Sequence, residues 1–390
     1  MYADYLILGG GRAGLCAAEA IRKLDGEGSV TMLTQEAQLP YSRPMLTKLP
    51  LEFYDVKNTL LYPPQWYEAQ KIDVRKSTQI LSLNAQEKTV AAATGTFSYG
   101  KCIYALGARN FIPPFPGKEL PGVYSIRTDE DINAIRKASL LASHAVVIGG
   151  GVIGLEAAYM LSERGLSVTV LETAPYLMPR LLDEASAQYL QSQITAFQIR
   201  TGVKVLSLRG NARVEAVEVE GMPAIPAELV IVSCGVRANA EIFQKAGGLT
   251  ERAVVVDEQM RTSLPDVFAC GDCAQFQSVN TALWAQATLQ GRIAGSNAAG
   301  RTLSYHGADA ALLLSGPEFS LYADGDCGKR PDVTYEIETR RQTRSSALEV
   351  NLRPVRTHVR DYFVNGRLVG TFMLGNLSDM MQKSREIARK

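Results

Sequence analysis

Two stretches of this 390-residue chain set glycines at a spacing that suits a bound dinucleotide, Gly9-Gly10-Gly11-Arg12-Ala13-Gly14 and Gly149-Gly150-Gly151-Val152-Ile153-Gly154. In a G-x-G-x-x-G pattern the first glycine makes a tight turn, the second lets backbone amides approach a pyrophosphate, and the third lets the next helix pack closely on its strand. The phosphates then meet the positive end of that helix. About twenty residues past the second copy stands Glu172, whose carboxylate can accept from a ribose 2′-hydroxyl and repel a 2′-phosphate. Thr173-Ala174-Pro175 brings no base, so NADH is expected over NADPH, with Arg180 the first cation beyond. The first copy has Thr34 at the acidic position. Its nearest carboxylate, Glu36, is expected either to take the ribose there or to be a solvated loop acid. Cys270-Gly271-Asp272-Cys273 has a redox-like spacing, against which stands the plain reading of two small filler residues.

These residues need strands and helices to carry them. Tyr5-Leu6-Ile7-Leu8 and Ala145-Val146-Val147-Ile148 read as apolar strands feeding the glycine turns. Small-residue helices follow, and Val30–Leu33 and Val168–Leu171 then complete two βαβ units. With 46% hydrophobic and 21% charged residues the chain reads as globular and large enough for two or three domains. Lys and Arg total 41 against 40 Asp and Glu, and a net charge of +1 gives no reason to invoke nucleic acid or membrane. With no basic leader and no long apolar run, a cytoplasmic protein is expected. Six cysteines in this length do not read as a disulfide scaffold, and no metal-ligand set is expected.

Further motifs carry a resemblance. Tyr104-Ala105-Leu106-Gly107-Ala108-Arg109 looks like a turn between domains, Val267–Ala274 with Asp272 like a second FAD signature, and Gly235–Asn239 like a return crossing. Pro40-Tyr41-Ser42-Arg43-Pro44-Met45-Leu46-Thr47-Lys48 is similar to a loop of rubredoxin and ferredoxin reductases. In this order they resemble the pyridine nucleotide oxidoreductases, flavoproteins with two dinucleotide-binding domains. Disulfide reductases of that family place a CxxxxC in the loop. Here no cysteine lies between Cys16 and Cys102.

The resemblance implies an α/β fold of two Rossmann-like domains and a small C-terminal α+β domain. The FAD domain would span 1–112 and 240–304, the NAD(H) domain 113–239, and the cap 305–390. It implies FAD at Gly9, Gly11, Arg12, Ala13 and Gly14, with Gly107 and Asp272 also on FAD and the Asp272 carboxylate accepting from ribityl hydroxyls. NADH falls to Gly149, Gly151, Gly154 and Glu172. Lys48 is expected near flavin N5, paired with Glu156 where nicotinamide and flavin meet, and Arg43 to pin the flavin or its pyrophosphate. Trp284 reads either as a cover on the flavin or as plain core. Hydride would pass from NADH to FAD and electrons on to a small electron carrier, rubredoxin or ferredoxin-like. A ferredoxin reductase, an NADH oxidase and a flavin- and NADH-binding redox-signalling protein are the other readings. The basic run Arg340, Arg341, Arg344, Arg353, Arg356 and Arg360 reads as a carrier-docking face or a solvated one, and the cap as a possible homodimer contact.

Overall fold

The computed structural model describes residues 1–307, 311–344 and 355–388. These divide into two compact units, one drawn from Met1–Met45, Tyr54–Phe111 and Gly235–Ala308, the other from Leu46–Phe53, Ile112–Cys234 and Asp309–Lys390. The first unit is wound on a parallel core of strands Ile72–Arg75, Val30–Leu33, Tyr2–Leu8, Gly95–Tyr104 and Val267–Ala269. Leu6, Ile7, Leu8, Met32, Leu33 and Ile103 are fully buried, as a sheet covered on both faces requires. The antiparallel strands Thr89–Ala92 and Ile80–Asn84 extend it. Strands Ala108–Asn110 and Val236–Ala238 pair antiparallel, so the two crossings read from sequence run side by side.

Helix Arg12–Leu24 lies against helix Trp284–Ala298. A Cβ on Gly291 would come 2.3 Å from the carbonyl of Ala13, and one on Gly295 2.3 Å from that of Ala17. The small residues of the later helix are thus used for helix–helix approach.

The second unit repeats the design. Its parallel sheet runs Gln198–Arg200, Ser167–Leu171, His144–Ile148, Leu229–Val232 and Val123–Tyr124, with a three-stranded antiparallel sheet beside it in sequence. The C-terminal part of this unit is a five-stranded antiparallel sheet and helix Met380–Ala388. Asn365 and Gly366, at φ 51° and 72°, turn strand Val355–Val364 into Arg367–Leu374 as a type I′ hairpin. Its turn Gly316–Phe319 reaches the rest of the unit, where Glu318 accepts from Tyr159 at 2.9 Å. Among the described residues no helix is long and apolar enough to cross a membrane.

Candidate active site

Each unit carries the same cradle at the carboxyl ends of its strands. Gly9 and Gly149 both stand at φ +115°, and each N–H donates at 2.8 Å to the last carbonyl of the neighbouring strand, Leu33 or Leu171. A Cβ on Gly9 would lie 2.2 Å from the carbonyl of Ala105, and one on Gly149 2.3 Å from that of Ser233. A Cβ on Gly14 or Gly154 would come 2.1 or 2.0 Å from the carbonyl of Gly9 or Gly149. A side chain at any of these four positions would force the turn apart. Gly11 and Gly151 cap the two helices, and nothing lies within 4 Å of where their Cβ atoms would be. Neither helix has a side-chain cap or an acid in its first turn, so open backbone amides and the helix dipole face the cradle. Both cradles fit a pyrophosphate.

In the first unit Thr34 stands where the second has Glu172. A Cβ on Gly10 would touch the Thr34 side chain at 2.8 Å, and one on Gly150 would touch Glu172 at 3.1 Å. Glu36 is brought to Arg43, with which it forms an ion pair, and accepts from the Tyr41 hydroxyl. The Arg43 guanidinium lies 5.4 Å from the Tyr41 ring centroid and feels the charge of Asp272. Arg43, Glu36 and Asp272 therefore belong to one electrostatic cluster, although they are far apart in sequence. Asp272 sits in the short turn Gly271–Cys273, which Gln290 braces by accepting the Gly271 N–H at 2.8 Å. Gln290 is a site residue that no spacing pattern announced. Arg12, inside the fingerprint, donates to Thr288 at 3.1 Å and lies 5.9 Å from the Trp284 ring. Trp284 opens its helix half-buried, so it is not a core residue. Gly107, at φ +64°, accepts from Asn239 N–H at 2.9 Å where the two crossing strands meet.

In the second unit Glu172 accepts from Gly150 N–H at 2.7 Å and from Ala174 N–H at 2.8 Å, which holds its carboxylate beside the glycine turn. Glu156, on helix Val152–Glu163, is 6% exposed, with Lys48 Nζ 4.0 Å from Oε1 and Thr47 donating to Oε2. Burial pushes the Glu156 carboxyl up from its ordinary value, against the Thr47 hydrogen bond and the Lys48 charge, which pull it down. Thr47 is the second contributor that sequence reasoning missed.

Cys270 and Cys273 are fully buried with free thiols, and burial pushes both up, Cys273 to about 12. Cys273 donates to the carbonyls of Cys270 and Tyr104. Such thiols are poor sources of thiolate. No group of three His, Cys, Asp or Glu among the described residues could hold a metal ion. Three of the cap arginines have partners in the same unit: Arg340 pairs with Asp361 at 3.0 Å and Arg360 with Asp183 at 2.8 Å, and Arg341 donates to His358 at 3.1 Å, with Arg340 and Arg341 still exposed. Arg353 and the side chains of Arg344 and Arg356 lie outside the described residues.

Two such cradles in one chain define a protein of the two-Rossmann class. Residues 3–291 match the model of the pyridine nucleotide-disulphide oxidoreductases, and the chain belongs to that family. It is an oxidoreductase whose cofactors are FAD and NADH. It is 33% identical over 319 residues to an NADH oxidase of Methanocaldococcus jannaschii, covering 76% of this chain and 70% of that one. It is 35% identical over 274 residues to a rubredoxin-NAD(+) reductase of Pseudomonas putida, covering 69% and 71%. The structure of a covalent putidaredoxin reductase–putidaredoxin complex matches with a TM-score of 0.84 at 26% identity, over 99% of this chain and 92% of that one.

Proposed function

We propose that the chain is an NADH-dependent reductase of a small iron protein such as rubredoxin, with FAD at the Gly9 cradle and NADH at the Gly149 cradle. When bound, FAD supplies the step from a two-electron hydride donor to a one-electron acceptor. On this reading residues 1–112 and 240–304 form the FAD domain, 113–239 the NAD(H) domain and 305–390 the cap. Gly9, Gly11 and Gly14, with Arg12 and Ala13 between them, hold the FAD pyrophosphate, Gly107 the turn beside it, and Asp272 the ribityl chain. Glu36 takes the FAD ribose, and Arg43, paired with it, pins the flavin or its pyrophosphate. Gly149, Gly151 and Gly154 hold the NADH pyrophosphate and Glu172 its ribose. Lys48 places a cation at the reacting edge and Glu156 holds it there.

The observation that carries the reading is the lack of a cysteine pair where a flavin-linked disulfide would stand: no cysteine lies between Cys16 and Cys102, and Cys270 and Cys273 are buried with raised pKa values. Electrons then leave for an external acceptor without a disulfide relay. The 35% identity to a rubredoxin-NAD(+) reductase supports a small iron protein as that acceptor. The 33% identity to an NADH oxidase favours a second reading, with oxygen as acceptor. One experiment separates them. The FAD-loaded protein is bleached with NADH under anaerobic conditions, and its reoxidation by rubredoxin, a [2Fe-2S] ferredoxin or oxygen is timed. Fast reoxidation by rubredoxin supports the proposal. Reoxidation fastest with oxygen moves the assignment to an oxidase, and no bleaching by NADH removes the reductase reading.

A further inference from the structure

The segment Leu46–Phe53 belongs to the second unit, while the residues on either side of it in sequence belong to the first. Two polar contacts tie it along one helix. Near its start Thr47 donates to Glu156 Oε2, and near its end Glu52 pairs with Arg164, the C-cap of the same helix. Glu156 and Arg164 are eight residues apart, about 12 Å of helix rise. The segment is therefore held at two points along the fingerprint helix of the second cradle.

The Glu156 carboxylate is divided between two partners. A carboxylate this deeply buried needs hydrogen bonds to stay ionised. Lys48 Nζ, at 4.0 Å, contributes attraction without a hydrogen bond, so the bond that holds the carboxylate's rotamer is the one from Thr47. That bond takes Oε2 and turns Oε1 toward Lys48.

We propose that Thr47 is a positioning residue for the Lys48–Glu156 pair, its hydroxyl fixing Glu156 so that Oε1 faces Lys48, while Glu52 and Arg164 anchor the far end of the segment. The inference rests on the functional reading only in assigning Lys48 to the reacting edge. Burial raises the Glu156 carboxyl, and the Thr47 bond opposes that rise. Without the hydroxyl the carboxyl goes further up and protonates at a higher pH. Lys48 then loses its counter-charge.

The test compares the FAD-loaded wild type with Thr47→Val, Thr47→Ser and Glu52→Gln. One readout is the pH profile of anaerobic flavin bleaching by NADH. The other, independent of turnover, is the rate at which trypsin cuts the Lys48–Leu49 bond without NADH, followed by mass spectrometry. Thr47→Val is expected to move the acid limb of the profile up by about one pH unit, the equivalent of a tenfold change in ionisation, and to speed cleavage about tenfold. Thr47→Ser should restore both to within about twofold, since it keeps the donor. Glu52→Gln should speed cleavage and leave the limb in place. A Thr47→Val protein with the wild-type limb and cleavage rate overturns the proposal, as does a Thr47→Ser protein that behaves like Thr47→Val. If NADH bleaches none of the proteins, the functional reading fails, and the cleavage rates alone decide the role of Thr47.

Discussion

Glu172 and Gly150 are joined by a hydrogen bond from the glycine N–H to Oε2 at 2.7 Å, and in the first cradle the place of Glu172 beside the glycine turn is taken by Thr34. The same backbone frame thus carries a carboxylate beside one glycine turn and a hydroxyl beside the other.

Replacing Glu172 with threonine, the residue of the first cradle, should weaken NADH binding by about ten- to a hundredfold, the range for losing a charged hydrogen bond. NADPH binding should suffer less, because a carboxylate that repels the 2′-phosphate is removed. Fluorescence titration of both nucleotides checks this; an unchanged NADH dissociation constant sinks the ribose role.

The third glycines separate the two cradles. A Cβ at Gly154 would press on the Gly149 carbonyl at 2.0 Å, and one at Gly14 on the Gly9 carbonyl at 2.1 Å. Gly154→Ala should yield a yellow protein that binds NADH at least about tenfold more weakly, whereas Gly14→Ala should be purified largely without flavin. Flavin content by absorbance, with NADH titration, reads both. The reverse pattern would exchange the two nucleotide assignments.

The cradles were legible in the sequence because their glycines answer a local demand: φ +115° and a carbonyl about 2 Å from a would-be Cβ leave no other residue type. The strand–turn–helix order around them was legible for the same reason. What escaped the sequence depends on distant partners. The resemblance pairs Lys48 with Glu156, but nothing marks the neighbouring Thr47 hydroxyl as a partner of that carboxylate, 109 residues away, and Gln290 bracing Gly271 leaves no spacing signal. The run of cap arginines is visible in sequence, but the carboxylates that pair with two of them, Asp361 with Arg340 and Asp183 with Arg360, are brought in by folding.

Alkylation and substitution of the Gly-Asp cysteines should leave the chemistry alone. Both thiols are fully buried with raised pKa values, so iodoacetamide at pH 8 should label neither in the native protein. The double variant Cys270→Ala with Cys273→Ala should keep its flavin and be bleached by NADH within about threefold of the wild-type rate, because only van der Waals contacts and weak sulfur bonds are lost. Loss of bleaching with flavin retained would restore a thiol to the electron path.

His358 should give the cap a pH-dependent stability. It is 1% exposed, its ring stacks on Tyr189 at 3.8 Å, and its Nδ1 accepts from Arg341, which requires the neutral imidazole. Burial, with the charges of Arg341 and Arg360 next, pushes it down to about 4 from an ordinary 6.5. Between those values the unfolded chain binds a proton that the folded one refuses, so stability falls as pH drops from 6.5 toward 4. A shift of this size corresponds to about 3 kcal/mol at most. His358→Gln keeps an acceptor for Arg341 and cannot titrate, so it should be less stable than wild type at pH 7 and lose less on acidification. Thermal midpoints at half-unit steps from pH 7 to 4.5 check this: the two curves should converge as pH falls. Parallel curves would mean that His358 takes up its proton in the folded cap over the same pH range as in the unfolded chain, and would overturn the prediction.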